Sequence, residues 1–322
     1  MSEPARVGGE PAPPRPPTPS PEAPKRSDLP ARLLTASILV PFVLFVIARG
    51  GLWVLGTVVG VVLLAQRELY GLIEDKGARP VVGFGLAAGA ALPVVAYIGN
   101  EYQATILMTA TLLGVMVAQL RRRQVTEAMA SISGTFFGVF YVGWLLSHAI
   151  PLRFFTKRIA AVYGPDAVAQ LGLVPDTGAC LLVYCLTVVV LCDAGAYFAG
   201  RAYGRRKLAP SISPSKSVEG AIGGLLLGTL GGAVMKGIFD LLWPQLSAVL
   251  SWPVVFAFGP LIGAAGIVGD LVESLLKRDA QVKDAGALLP GMGGLLDRID
   301  SPLLGIPVMY YLMLFLVWLR MG

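Results

Sequence analysis

The chain has 322 residues, of which 55% are hydrophobic and only 14% are charged. Soluble domains average about 25% charged residues, so this composition excludes an ordinary soluble protein. Many apolar runs are long enough to cross a hydrocarbon core about 30 Å thick. The sequence therefore predicts an all-α, polytopic integral membrane protein.

The formal net charge of +6 would also suit a protein that binds nucleic acid. The sequence shows no soluble basic module that could carry such a binding surface. In a membrane protein, basic residues are instead expected on the cytoplasmic side of the bilayer. We therefore expect no nucleic-acid partner.

Residues 1–30 are rich in proline and contain almost no large apolar side chains. Such a segment cannot bury a core, so we predict a disordered cytoplasmic tail. A cleaved signal peptide is the alternative, because Arg32 precedes an apolar stretch. The polar leader is long for a signal peptide, which favours an uncleaved first span.

After the tail, apolar stretches predict about nine transmembrane helices. The first two are separated only by Arg49, Gly50 and Gly51, which predicts a tight turn. We divide the rest of the chain into N-terminal helices in 31–177 and a C-terminal catalytic region in 178–322. The helices are expected near 33–48, 52–70, 81–98, 104–120, 134–150, 178–200, 219–239, 253–276 and 302–320.

Lysine and arginine are distributed unevenly between the two ends of these helices. Of the 26 basic residues, twenty fall in the tail and in alternate loops, five fall on the opposite side, and Lys236 lies within a span. This asymmetry is typical of the positive-inside rule. We expect a plasma (inner) membrane protein with a cytoplasmic N-terminus and, after nine crossings, a C-terminus outside.

The seventh predicted span has a glycine at every fourth position, and these glycines share one helix face. Such a stripe lets a neighbouring helix approach closely. It is compatible with a homodimer and serves equally well within a monomer. The stripe consists of Gly220, Gly224, Gly228 and Gly232.

Two segments on the predicted cytoplasmic side, 201–218 and 277–301, are unusually polar for this chain. Charged loop residues often only pair with one another and with water, and this alternative holds for any single residue here. The second segment, however, combines carboxylates, cations and glycine-rich turns. Backbone N–H groups in such turns can approach phosphate, although glycines alone are weak evidence.

The carboxylates in and before the second segment have a helical spacing. Asp297 and Asp300 are three residues apart and share a face if the segment is helical, as do Asp270 and Glu273. Acidic residues at the edge of a span need a partner. Because Mg²⁺ uses a few carboxylates together with substrate oxygens, we predict a magnesium site, with a second cation left open.

The stretch SLLKRDAQVKDAGALLPGMGGLLDRID resembles the signature of the phosphatidate cytidylyltransferase (CDP-diacylglycerol synthase) family. Residues 212–220 are similar to the Ile-Ser-Pro-x-Lys-Ser/Thr-x-Glu-Gly element of the same family. The resemblance covers about the last 130 residues closely and is highly specific. The matching positions of the first signature are Ser274, Lys277, Arg278, Lys283, Asp284, Pro290, Gly293, Gly294, Asp297, Arg298 and Asp300.

The resemblance implies an enzyme that transfers the CMP moiety of CTP to phosphatidate, giving CDP-diacylglycerol and pyrophosphate. CTP, phosphatidate and membrane lipids are then its partners. The expected catalytic residues are Asp270, Asp284, Asp297 and Asp300, and the expected metal ligands are Asp270, Asp297 and Asp300. Substrate phosphates are expected to bind Ser213, Pro214, Lys216, Lys277, Arg278, Lys283 and Arg298.

One position departs from the family pattern, because Met292 stands where the family usually has histidine. The phosphate monoester of phosphatidate should have a second pKa of about 6, so it is largely dianionic at neutral pH and needs no base. We therefore expect Met292 to be tolerated. The single histidine, His148, is expected to be interfacial or buried and hydrogen-bonded. Asp193, at the end of the sixth span, is left open between a cation contact and a structural role.

Other functional classes fit the sequence less well. A transferase that uses CTP on another lipid acceptor, such as an isoprenoid lipid, would share the same nucleotide site. A CDP-alcohol phosphotransferase would need an Asp-Gly-x-x-Ala-Arg motif, which the sequence lacks. A transporter or scaffold would favour polar residues near the midplane and repeated halves, whereas the polar residues here cluster at one interface.

Overall fold

A computed structural model describes residues 29–99, 101–122, 126–286, 288 and 293–321. Residues 1–28 of the predicted tail lie outside the described residues, as do Pro290 and Met292. The helices are α1 (Leu29–Arg49), α2 (Gly51–Asp75), α3 (Val82–Ile98), α4 (Glu101–Leu120), α5 (Ala128–Gly138), a π-helical segment (Val139–Trp144), α6 (Leu145–Ser147), α7 (Ala149–Arg153), α8 (Phe155–Tyr163), α9 (Pro165–Gln170), α10 (Thr177–Tyr203), α11 (Val218–Leu242), α12 (Pro244–Ser247), α13 (Trp252–Asp279) and α14 (Leu296–Met321). The strands are β1 (Lys207–Ala209) and β2 (Ser213–Ser217).

The predicted polytopic, all-α membrane fold is confirmed. Within the described residues, seven helices are long and apolar enough to cross a membrane, counting Ala128–Arg153 as one helix. Two shorter apolar helices, Thr35–Arg49 and Val82–Ile98, occupy the first and third predicted positions. The predicted count of nine crossings is not confirmed, because the apolar part of α1, Thr35–Arg49, and the whole of α3 fall short of the roughly 20 residues that a full crossing usually needs.

The outer surface of the helix bundle carries large apolar side chains. Examples are Ile38 on α1, Ile106 on α4, Leu226 and Val234 on α11, and Leu319 on α14, all more than half exposed. Water would disfavour an apolar surface of this extent. Lipid tails are as apolar as leucine, so the surface is suited to hydrocarbon.

Helix α10 lies at the centre of the bundle. It contacts α7, α11, α13 and α14, and Tyr184 and Val188 on it are fully buried. The Tyr184 hydroxyl donates a hydrogen bond to the Val255 carbonyl oxygen at 2.8 Å. All three cysteines of the chain lie on this helix as buried free thiols, where they act as small packing residues.

The glycine stripe of α11 packs against α10 within one chain. A Cβ atom at Gly224 would lie 2.6 Å from the Cys192 carbonyl oxygen, and one at Gly228 would lie 2.7 Å from the Val188 carbonyl oxygen. Only glycine therefore allows the two backbones to approach this closely. Because α10 already occupies the stripe, these glycines do not support a homodimer.

The predicted tight turn between α1 and α2 is present. It consists of Gly50 alone, which has a φ of 61°, a conformation that favours glycine. The buried Arg153 side chain lies against this turn and donates to the Ile47 carbonyl oxygen at 2.7 Å. It also pairs with Asp176 at 2.9 Å. Arg153 thereby binds a carbonyl group at the C-terminal end of α1.

The two polar segments differ in structure. The first contains an antiparallel hairpin in which Lys207 of β1 pairs with Ser217 of β2, and Ala209 pairs with Ser213. The second is largely helical at its ends, since α13 continues to Asp279 and α14 begins at Leu296. The non-helical part of the second segment is therefore shorter than the sequence suggests.

Gly228→Ala should destabilise the protein, because the added Cβ would lie 2.7 Å from a backbone oxygen of α10. We expect a loss of about 1–3 kcal/mol, typical of overpacking, measured from the thermal unfolding midpoint in detergent. Gly237→Ala is the matched control, because its Cβ would meet only Trp252, at 3.8 Å. Equal midpoints for the two variants would contradict the role of the stripe.

Candidate active site

Three carboxylates from two helices meet at one end of the bundle. Helix α13 supplies Asp270 and Glu273, and α14 supplies Asp300. One oxygen from each lies within 4.8 Å of the others. Gly269 permits this arrangement, because a Cβ atom there would lie 2.3 Å from the Asp300 carbonyl oxygen. We refer to Asp270, Glu273 and Asp300 as the acidic cluster.

Glu273 is the most deeply buried member of the acidic cluster, with a side chain that is 0% exposed. Its Oε2 atom pairs with the Lys277 Nζ atom at 2.6 Å, whereas among the described residues its Oε1 atom has no hydrogen-bond partner. A buried carboxylate oxygen without a partner is costly. The acidic cluster therefore fits a bound cation, which would supply the missing partner.

Asp297 lies beside the acidic cluster but is held by other groups. Its Oδ1 atom is 2.7 Å from the Lys277 Nζ atom, and its Oδ2 atom accepts hydrogen bonds from the backbone N–H groups of Ala285 and Gly294 at 3.0 and 2.8 Å. Asp297 thus connects Lys277 on α13 with the backbone at Ala285 and Gly294. Of the three predicted metal ligands, the described structure groups Asp270 and Asp300 with Glu273.

Lys216 brings the first polar segment to the acidic cluster. Its Nζ atom lies 2.5 Å from the Asp270 Oδ2 atom. The neighbouring residues hold Lys216 in place, since the Ser217 hydroxyl accepts from the Gly220 N–H at 3.1 Å and caps α11. Glu219 accepts from the Arg205 and Arg206 N–H groups at 3.0 and 3.1 Å, which fixes the approach to β1.

The other predicted phosphate-binding residues surround this centre at the surface. Arg278 donates from Nε to the Ile212 carbonyl oxygen at 3.4 Å and so links α13 to the hairpin. The Ser213 hydroxyl lies 3.5 Å from the Ser215 hydroxyl. The exposed members of this set are Pro214, Arg278, Lys283 and Arg298, and the predicted catalytic residue Asp284 is also exposed.

A cavity of about 540 Å³ adjoins the acidic cluster between α10, α11, α13 and β2. Its lining combines charged groups with small and apolar residues. Asp193 borders the cavity and accepts a hydrogen bond from the Ser301 hydroxyl at 3.2 Å, so it contacts the residue next to Asp300. The lining includes Asp193, Tyr197, Arg201, Lys216, Ala221, Ile267 and Asp270.

Glu68 of α2 contacts the same region, although it was not among the residues predicted for the site. Its carboxylate accepts hydrogen bonds from the N–H groups of Leu295 and Leu296, at 3.0 and 2.7 Å. The signal that could have identified it is an acidic residue near the end of an apolar helix. Such a residue needs a partner, and here the partner is the start of α14.

Tyr141 was also not predicted. It lies in the π-helical segment, and π-helical turns are frequent at functional sites. The side chain stacks on Phe137 with ring centroids 5.1 Å apart. Its hydroxyl is buried and has no hydrogen-bond partner among the described residues. The carboxylates of the acidic cluster act on this hydroxyl electrostatically.

His148 is buried and hydrogen-bonded, as predicted. Its Nδ1 atom lies 2.9 Å from the Trp144 carbonyl oxygen, and its Nε2 atom lies 3.0 Å from the Tyr311 hydroxyl. The carbonyl can only accept, so Nδ1 is the donor and Nε2 accepts from Tyr311. Both ring nitrogens are therefore used in structural contacts.

Comparison with known proteins identifies the family. Residues 30–316 match the family described as the cytidylyltransferase family. The chain belongs to this family. It is 29% identical to a phosphatidate cytidylyltransferase of Synechocystis sp., over 89% of this chain and 97% of the relative.

Two further relatives of this cytidylyltransferase have the same name. The phosphatidate cytidylyltransferase of Thermotoga maritima is 30% identical over 88% of this chain and 95% of its own length. The Bacillus subtilis protein is 41% identical over 42% of this chain and 48% of its own length. The first of these matches extends beyond the signature region into the N-terminal helices.

Lys277→Met should destabilise the cytidylyltransferase, because it leaves Glu273 and Asp297 without their shared cation. Removing one partner of a buried ion pair costs about 3–5 kcal/mol. Thermal unfolding in detergent measures the effect. Lys76→Met is the control, since Lys76 and Asp279 form an exposed pair, which is worth about 0–1 kcal/mol. The same small shift in both variants would contradict this role of Lys277.

Proposed function

We propose that this cytidylyltransferase transfers the CMP moiety of CTP to phosphatidate, releasing pyrophosphate and forming CDP-diacylglycerol. The observation that carries the proposal is the acidic cluster with Lys216 and Lys277 against it, beside a cavity among apolar helices. The relatives named phosphatidate cytidylyltransferase support the choice of substrates.

The two substrates would reach the acidic cluster from different sides. Phosphatidate would enter from the bilayer, with its acyl chains against the exposed apolar residues of α11 and α13, such as Leu226 and Val268. CTP would arrive from the aqueous side, where Arg278, Lys283 and Arg298 are exposed. The cavity that contains Lys216 and Arg201 would then receive the phosphate of the lipid.

Asp270 and Asp300 are the proposed ligands of Mg²⁺, with Glu273 as the buried third carboxylate and Asp297 as a further ligand. One oxygen from each carboxylate of the acidic cluster lies within 4.8 Å of the others, whereas opposite ligands of one Mg²⁺ are about 4.2 Å apart, so a bound ion would draw these oxygens slightly closer together. Bound Mg²⁺ would neutralise charge on the CTP phosphates. The proposal leaves open whether a second cation also binds.

The chain's own residues would mainly bind and orient phosphates. A phosphatidate oxygen forms a bond to the α-phosphorus of CTP as the bond to pyrophosphate breaks, and the lipid dianion needs no base. Lys216, Lys277 and Arg278 would offset negative charge as the two anionic substrates come together. Asp284, exposed beside this region, would assist on the aqueous side.

We also propose that the active site faces the cytoplasm. Helix α10, about 40 Å long at 1.5 Å per residue, separates the hairpin from α8. The end of α1 contacts Arg153, and Arg320 of α14 contacts the Val249 carbonyl oxygen, both away from the hairpin. The tail would then share the cytoplasmic side with the active site, and the end of α14 would lie outside.

Cysteine labelling tests this orientation, because the three native cysteines are buried. Lys207→Cys, on the exposed hairpin, should react with a membrane-impermeant maleimide only after right-side-out vesicles are permeabilised. Lys157→Cys, exposed on α8, should react without permeabilisation. The reversed pattern would overturn the proposed orientation.

The proposed reaction is tested by incubating purified protein in detergent with CTP and phosphatidate, and measuring CDP-diacylglycerol. Product should form with Mg²⁺ and disappear with EDTA. Asp300→Asn should lower kcat by roughly a hundredfold or more, since one charged oxygen of the acidic cluster is lost. Asp279→Asn is the control, because Asp279 is exposed and pairs with Lys76 at the surface.

Product from the wild-type protein would also show that Met292 is tolerated in place of histidine. CTP binding without turnover of phosphatidate would favour another lipid acceptor, such as an isoprenoid lipid. Wild-type turnover by Asp300→Asn would count against the metal assignment.

A further inference from the structure

Glu68 is the one carboxylate described here that reaches the segment before α14 from the N-terminal helices. It accepts hydrogen bonds from two consecutive backbone N–H groups, those of Leu295 and Leu296. Helix α14 begins at Leu296, so these groups belong to the helix start, where backbone donors lack partners within the helix. The negative charge of Glu68 also lies at the favourable end of the helix dipole.

Two glycines make room for the Glu68 side chain. A Cβ atom at Gly286 would lie 2.5 Å from Glu68 Oε1, and its three nearest neighbours would all be atoms of the Glu68 side chain. A Cβ atom at Gly294 would lie 2.7 Å from Glu68 Oε2 and also 2.7 Å from the Gly286 nitrogen. The carboxylate therefore lies directly against Gly286 and Gly294, and larger residues at these two positions would displace it.

Two aspartates of the proposed metal site, Asp297 and Asp300, lie on the helix whose start Glu68 binds. Asp297 binds the Gly294 N–H, immediately before the two N–H groups that Glu68 binds. Asp300 follows one turn later on the same helix and joins the acidic cluster. The contact of Glu68 with the start of α14 thus sets the position of both aspartates relative to Asp270 on α13.

We propose that Glu68 is a positioning residue for the transferase reaction. It fixes the start of α14, so that the carboxylates of α13 and α14 converge on one cation. The inference rests on the proposed function, and it adds a residue of α2 to a site otherwise built from the C-terminal region. It also gives a physical reason for the two glycines at 286 and 294.

Glu68→Gln tests the proposal with little change in volume. The glutamine oxygen can accept one of the two hydrogen bonds, but its NH₂ group would face the other N–H donor. We expect kcat to fall by about 10–100-fold, as for residues that orient metal ligands, with a smaller change in the KM for CTP. The concentration of Mg²⁺ needed for half-maximal activity should rise. Glu68→Asp, which keeps the charge, should retain more activity than Glu68→Gln.

Binding of Mn²⁺ alone, followed by electron paramagnetic resonance without substrates, gives a readout that does not depend on turnover. Glu68→Gln should weaken Mn²⁺ binding by a similar factor. Glu74→Gln is the matched control, because Glu74 lies on the same helix and pairs with Arg67 at the surface. This control should keep wild-type kcat and Mn²⁺ affinity.

A double-substitution cycle tests the contact itself. Gly286→Ala should lower kcat and Mn²⁺ affinity when Glu68 is present, because the added Cβ would push the carboxylate away. In a Glu68→Ala background the same glycine substitution should have little further effect. An equal effect in both backgrounds would show that Gly286 does not act through Glu68.

These experiments distinguish failure of the positioning role of Glu68 from failure of the proposed reaction. Unchanged kcat and Mn²⁺ affinity in Glu68→Gln would overturn the positioning role. A lower unfolding midpoint with unchanged kcat and Mn²⁺ affinity would also overturn it, since Glu68 would then serve stability only. Failure of the wild-type protein to convert phosphatidate would reject the substrate assignment, whereas the Mn²⁺ measurements would still decide the role of Glu68.

Discussion

Electrostatic repulsion within the acidic cluster is the constraint on which the rest of the site depends. Like charges less than 5 Å apart interact strongly near a protein surface, and the cost grows where water is scarce. The structure places a lysine on each side, with Lys216 against Asp270 and Lys277 against Glu273. Lys277 also attracts Asp297, which draws the start of α14 towards α13. The ion pair between Lys277 and Asp297 thereby helps to set how α13 and α14 pack against each other.

Backbone N–H groups at the start of α14 also bind carboxylates of this region. The N-terminus of a helix is well suited to bind phosphate, because its N–H groups are free and its dipole favours negative charge. At α14 the N–H groups of Leu295 and Leu296 are already bound to Glu68, and that of Gly294 is bound to Asp297. These donors are therefore unavailable to a substrate. At this end of α14, contacts with substrate phosphates would therefore come from lysine and arginine side chains and from the proposed cation.

The part of the site that could be predicted from the sequence is the part encoded by local spacing. Asp270 and Glu273 lie three residues apart on one helix, and the apolar stretches locate the helices to within a few residues. Contacts between distant positions could not be obtained in this way. Glu68 is 228 positions from Leu296, and nothing in its local sequence specifies this partner.

The sequence predicts Asp297 as a metal ligand, whereas the structure has Glu273 in the acidic cluster. This difference also depends on contacts that local spacing does not specify. Helical spacing places Asp297 and Asp300 on one face, but it does not specify which of them faces α13. That choice depends on Lys277, Ala285 and Gly294, whose donors take up the Asp297 carboxylate. The π-helical segment that holds Tyr141 is likewise absent from the sequence pattern, because it depends on packing between helices rather than on periodicity.

The described carboxylates at this centre outnumber the described lysines. The acidic cluster and Asp297 contribute four carboxylates, and they share two lysines. When all are ionised, the group has a net charge of −2, which one divalent cation balances. Lys216 and Lys277 already belong to this balanced group, so further positive charge for the phosphates of CTP and a lipid would come from residues outside it. Arg201 lines the cavity, and Arg278 lies at the hairpin, where it binds the Ile212 carbonyl oxygen. In the proposed chemistry, a dianionic phosphate needs neutralisation rather than deprotonation, so a methionine at position 292 would remove no required group.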